Sequence, residues 1–174
     1  MQTSYSMYMP IASYPGQPAD NGKKDDLSVA ATTMNLPFGV LVVTDTVNST
    51  DFNTICGRLP VSSADVTTNA IGVVVADQAR TQNNEFSGLP SVAPYYPQFS
   101  CLPCRRQGRL FVLAEGPVVN GGPVFVRFAT GPGGTGLGSL RGDTDTASAA
   151  LLQNAIWRST VGAGGFAVIE LNLV

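Results

Sequence analysis

Arg109-Leu-Phe-Val-Leu-Ala-Glu-Gly-Pro-Val-Val-Asn-Gly-Gly-Pro-Val-Phe-Val-Arg-Phe128 is the stretch whose reading decides the fold. Two runs of aliphatic and aromatic residues flank a segment of Gly, Pro and Asn. Asn120-Gly121 supplies the positive φ angles a tight turn requires, so the pattern predicts a hairpin-like turn with a strand on each side. Side chains alternate along a strand, which places Val124, Val126 and Phe128 on one face and Phe125 and Arg127 on the other.

The same pattern repeats outward. Val40–Thr44, Ile71–Ala76 and Phe166–Leu173 are short apolar runs, most of them bounded by turn residues. Val40–Val43 and Val73–Val75 are apolar at every position, which in antiparallel sheets signals burial on both faces. No segment makes a convincing amphipathic helix. The best candidate, Asp143–Asn154 with Thr144 or Asp145 as a cap, is short enough to be a loop. With no helices to cover them, the doubly apolar strands must meet another sheet or another subunit. The expectation is an all-β, jelly-roll-like sandwich or barrel of about eight strands, forming one domain over residues 27–174.

Two regions depart from this pattern. Residues 1–26 hold Tyr5, Tyr8, Tyr14, Met7, Met9, Pro10, Pro15 and Pro18, and end in the polar stretch Asp20–Asp26. Proline withholds a backbone donor, so the reading is an extended N-terminal arm that orders on a partner. Residues 80–106 contain Pro90, Pro94, Pro97 and Pro103 with Phe86, Tyr95, Tyr96 and Phe99. A loop that long in a compact domain is usually functional, and its aromatics mark a contact surface.

Composition points the same way. Only 13% of the 174 residues are charged while 44% are hydrophobic, against about 25% charged in an ordinary soluble domain. Much of the exterior is therefore expected to be covered by other protein. The net charge of −2 and scattered arginines (Arg105, Arg106 and Arg109 apart) give no reason to expect nucleic acid. The apolar runs are strand-length, with no membrane span and no secretory signal pattern in view. Three cysteines fit folding in a reducing cytosol.

The chain has no histidine, which removes Ser-His-Asp and Cys-His nucleophile systems and histidine-ligated zinc. Paired carboxylates remain formally able to do glycosidic chemistry, and Glu85, Glu115 and Glu170 are the only glutamates. No catalytic activity, cofactor or metal is expected. Cys101-Leu-Pro-Cys104 has CxxC spacing, but only Cys56 could join a metal site, so a pair of loop thiols is the plainer reading. Gly131–Gly136 satisfies GxGxxG without a following helix, Arg141-Gly-Asp143 matches an adhesion tripeptide, and Asn48-Ser-Thr50 is a sequon only in a secreted chain.

In order along the chain, Tyr14–Gly22, Ile71–Ala76, Gln107–Val112, Val119–Phe128, Gly131–Gly138, Asn154-Ala-Ile-Trp-Arg158 and Gly164–Asn172 resemble the capsid cement (decoration) proteins of tailed bacteriophages. The match runs from about residue 14 and leaves residues 80–106 longer than the family pattern. The resemblance implies a jelly-roll-like domain on the outside of an icosahedral head, assembled in the host cytoplasm, tying major capsid protein subunits together. It also implies a homo-oligomer, dimer or trimer, with the arm reaching a neighbour. The residues expected at the contacts are Tyr5, Tyr8 and Tyr14 of the arm and Tyr95, Tyr96 and Phe99 of the long loop, because Tyr and Phe are enriched at interface cores. The alternative is a receptor- or glycan-binding β module on the virion surface, with the aromatic loop as its platform.

Overall fold

The computed structural model describes residues 15–19, 22–33, 35–48, 55–76, 95–130 and 136–173. Its elements run Asp25–Ala31 (β1), Leu36–Pro37 (β2), Leu41–Thr44 (β3), Cys56–Arg58 (β4), Ser63–Thr68 (α1), Ala70–Val74 (β5), Tyr95–Tyr96 (β6), Cys101–Leu113 (β7), Pro123–Arg127 (β8), Leu140–Arg141 (β9), Ala149–Trp157 (β10) and Phe166–Asn172 (β11). The all-β barrel or sandwich read from the sequence is what the chain forms.

The sheet order is β1-β4-β3-β5-β7-β11-β10-β8-β9, and β1 also pairs with β7. That extra pairing closes β1, β4, β3, β5 and β7 into a ring. Beyond it, β11 runs antiparallel to the second half of β7, from Phe166 opposite Leu113 to Asn172 opposite Gln107. A bridge from Ala114 to Leu140 returns the far edge, β9, to the end of β7. Two closed β arrangements therefore share one 13-residue strand. At Gly108, φ is +113°, a backbone angle that glycine adopts without the penalty of a Cβ. It lies where β7 passes from one partner set to the other.

Each arrangement has its own core. Val29, Ala31, Val42, Val74, Leu102 and Cys104 fill the first, with Leu36, Phe38 and Tyr96 at its mouth. Leu41, Val43, Val73, Leu110, Val112, Val126, Leu152, Trp157 and Ile169 fill the second. Alternation along β3 sends Val42 to one core and Leu41 and Val43 to the other. This explains the doubly apolar runs: both faces are buried, by two cores of the same chain. Each fully buried aliphatic side chain contributes roughly 1.5–3 kcal/mol.

Several local expectations change. Among the described residues the helix is α1, where Ser62 accepts a hydrogen bond from the Asp65 amide as N-cap and Val66 enters the second core. The segment Asp143–Asn154 is instead a turn leading into β10. Asp145, Thr146 and Ala147 sit in the left-handed region, at φ of 43°, 53° and 69°, which a right-handed helix does not accommodate. The turn at Asn120-Gly121 exists, with Gly121 alone of the pair at positive φ, +81°. It joins no hairpin, because β7 and β8 do not pair. Pro117 lacks the donor needed to continue the ladder, and the Gly121 amide bonds the Trp157 carbonyl at 2.8 Å instead.

The stretch read as a loop to 106 continues as strand from Cys101. Residues 77–94 lie outside the described residues. The described part of the expected arm is also built into the domain. The Gly16 amide donates to Phe111 O at 2.7 Å, the Phe111 amide to Gln17 O at 2.8 Å, and the Ala76 amide to Gly16 O at 2.9 Å. This segment covers an edge of β7 that would otherwise expose unpaired backbone groups, and β1 itself starts at Asp25.

Candidate functional site

The aromatic turn at Tyr95–Ser100 stands out because its residues behave so differently. Tyr95 is half-buried beside Pro37 in the small β2–β6 sheet. Tyr96 is 1% exposed, with its ring edge-on to Phe38 at 5.2 Å and its hydroxyl donating to Val75 O at 3.2 Å. It anchors the turn from inside. Phe99 is 83% exposed at φ +64°. A bulky residue in the left-handed region is an outlier worth about 1–2 kcal/mol, and here its side chain gains no burial in return.

The turn is stapled to the end of β1. The Phe99 amide donates to Ala31 O at 2.8 Å, and Gln98 Nε2 to Thr32 O at 2.8 Å. Ile55, whose carbonyl accepts from the Ala30 amide, and Val47, beside Asp45, project from the same end of the first barrel. Both are exposed. Asp45 holds this end together: it accepts from the Thr32 hydroxyl at 2.6 Å and from Asn48 Nδ2 at 2.8 Å. Burial would raise its carboxyl, but these bonds and the Val47 and Asn48 amides bring it below the usual range. Tyr5, Tyr8 and Tyr14 lie outside the described residues.

Ionic groups are used differently. Arg127 donates Nε to both Glu115 oxygens at 2.8 Å, and its Nη2 meets Asp145 at 2.5 Å. Arg141 contacts Asp143 at 2.6 Å, Asp145 at 3.0 Å and Glu115 at 3.4 Å. Arg105 forks onto Asp26 at 2.7 and 2.8 Å, and Arg58 onto Asp65 at 2.8 and 3.0 Å. Arg109 and Arg158 share Glu170. Arg105, at the end of the stretch expected to be a long loop, is 2% exposed. Each arginine among the described residues thus pairs with a carboxylate of the same chain.

These pairs bear on the chemistry weighed from the sequence. The hydrogen bonds of Arg158 and Arg109 pull the Glu170 carboxyl down to about 2, the wrong direction for a general acid. Glu115 is clamped between two arginines. The adhesion tripeptide is unavailable, because Arg141 is buried on Asp143 and Glu115. The CxxC thiols lie on a strand rather than a loop. Three residues of extended chain put their Cα atoms about 10 Å apart, beyond disulfide reach. Cys101 is exposed while Cys104 is in the first core, where burial pushes its thiol far up. Among the described residues no group of three or more Cys, Asp or Glu could hold a metal. No described helix is long and apolar enough to cross a membrane.

The described surface combines paired charges with projecting apolar side chains. A family model described as structural cement protein (E217 gp24/Pam3 gp6) matches residues 1–172. The chain belongs to the phage structural cement proteins. The family is structural rather than catalytic, and this cement protein is a structural component of the phage capsid. A comparison with curated proteins gave no match. A chain from "The capsid of Myoviridae Phage XM1" superposes at TM-score 0.66 over 98% of both chains, with 11% identity. Identity that low speaks to the fold alone, and the fold is shared over nearly its whole length. What sequence reasoning missed in this cement protein is the ion network. Its one local signal was the arginine at 127, inside the otherwise apolar run Val124–Phe128.

Proposed function

We propose that this cement protein binds the outside of an icosahedral phage head and stabilises it by bridging major capsid protein subunits, working as a homo-oligomer. Membership of the structural cement family over residues 1–172 carries the reading. The exposure and positive φ of Phe99 support placing one contact there. An exposed aromatic held at positive φ costs the isolated chain stability, and a partner's surface would recover that cost. Strained positions of this kind cluster at functional sites.

Mechanically, a head filled with DNA is under outward pressure. Many copies, each joining neighbouring subunits, resist rupture together even when single contacts are weak, because tethering raises effective concentration. In this reading Phe99 and Tyr95, with Val47 and Ile55 beside them, form one contact and Tyr5, Tyr8 and Tyr14 of the arm another. Tyr96 acts from inside by fixing the turn. The test is decoration of cement-free heads by the full chain, by Phe99→Ser and by a chain lacking residues 1–14. The two altered chains should fold and bind more weakly. Unchanged binding by both would remove this assignment of contacts.

A further inference from the structure

Alternation along β7 and β11 sets one more surface apart. Leu110, Val112, Ala167 and Ile169 belong to the second core, so the residues between them face outward. Across the two strands Leu113 lies opposite Phe166, Phe111 opposite Val168 and Arg109 opposite Glu170. Leu113 and Phe166 are both exposed, and Phe111 and Val168 are half-buried beside them. The next row is ionic. Arg109 and Arg158 both hold Glu170, and Lys23 lines the same cleft as Arg109 and Glu170. Three cations against one carboxylate give this row a net charge of +2, on a chain whose own net charge is −2.

We propose that this face is a second contact with the major capsid protein, docking on an apolar patch edged by carboxylates. The inference rests on the capsid-binding reading and names a surface that makes bridging possible. A bridge needs two separated contacts. Phe99 precedes the start of β7 and Leu113 ends it, and a strand of 13 residues spans up to about 40 Å. Charge selects the partner. Laid against the same face of a second copy, the ionic row would meet its own positive charge, which opposes self-pairing. An acidic rim is attracted instead, and the apolar block beside it supplies the contact from which water is excluded. Apolar side chains rimmed by polar groups are the usual form of a protein–protein contact.

Titration of cement-free heads tests it, with the unaltered full chain, Phe166→Ser and Lys23→Glu, each checked for folding by urea unfolding. Phe166→Ser should bind at least about tenfold more weakly. Lys23, an exposed side chain, serves as the second variant should Phe166→Ser fail to fold. Lys23→Glu should bind about threefold more weakly at low salt, and that difference should shrink as salt is raised. Unaltered binding by Lys23→Glu at low salt would overturn the acidic partner. Unaltered binding by both variants would overturn the whole proposal while leaving the capsid reading in place. Heads that fail to bind even the unaltered chain would remove both together. Sedimentation without heads decides against a second copy: the three chains should sediment alike, and a smaller species for Phe166→Ser would overturn the proposal in favour of a contact between copies.

Discussion

Replacing Arg127 with Met should destabilise this protein far more than replacing its partner Glu115 with Gln. Two arginines, 127 and 141, face three carboxylates, 115, 143 and 145, for a net charge of −1. Arg127→Met leaves one positive charge against three negative, a net of −2. Glu115→Gln leaves two against two, a net of zero. The Arg127 and Glu115 side chains are 4% and 14% exposed, so water screens these interactions little. Removing one partner of a buried pair costs about 3–5 kcal/mol. Arg127 partners two acids, which places Arg127→Met near 4 kcal/mol, whereas Glu115→Gln keeps its shape and should cost roughly 1–2 kcal/mol. For a chain of this size these losses correspond to Tm decreases of about 8–16 °C and 2–8 °C.

The assay is urea unfolding followed by fluorescence of Trp157, the single tryptophan and fully buried. The pH dependence provides a second check. Hydrogen bonding to Arg141 holds the Asp143 carboxyl below the usual range. A depressed carboxyl contributes stability above its unfolded-state pKa and loses it as pH falls through the folded value. In Arg127→Met the Asp143 carboxyl loses the Coulombic help of Arg127 and protonates more readily. The gap between the two variants should therefore narrow as pH falls from neutral toward about 4. Equal losses in the two variants, or a gap independent of pH, would refute the charge-balance reasoning.

Three further outcomes follow from the geometry. Phe99→Gly should leave stability unchanged or raise it by up to about 1 kcal/mol, because relief of the positive φ offsets the greater freedom of the unfolded chain; a clear loss in urea unfolding would contradict this. Of the three cysteines, Cys101 should react quickly with a thiol reagent in the native protein, while Cys104 and Cys56 react only as the protein unfolds. Burial alone would raise the Asp65 carboxyl, but Arg58 and the Val61 amide pull it down to about 2. Its stabilising contribution, about 2 kcal/mol by linkage, should therefore be present above pH 4 and lost as pH falls toward 2. Asp65→Asn should flatten that part of the pH–stability curve.

The fold class was legible because its signal is periodic and local. Val124 and Val126 face inward as alternation requires, and the doubly apolar β3 and β5 announced burial on two sides. What lay on those sides was not legible. A second core of the same chain and a second subunit leave identical patterns in the sequence, because both replace water with apolar atoms. The hairpin failed for a related reason. Asn120-Gly121 specifies a turn but not its partners, and Pro117 diverted the chain before β7 could pair with β8. The sites divide similarly. Tyr95, Tyr96 and Phe99 look alike in sequence, yet backbone geometry sends Tyr96 into the core and Phe99 out to solvent. The Arg127–Glu115–Arg141 network joins β8, β9 and the bend after β7, a meeting that only the tertiary fold creates.

The most direct measurement is a cryo-electron microscopy reconstruction of intact particles in which this chain can be traced. The account expects ordered copies on the outer face of the shell, spanning boundaries between capsid subunits, with Phe99 buried against one of them. Density for this chain on the inner face, at the tail alone, or wholly within single capsid subunits would contradict it.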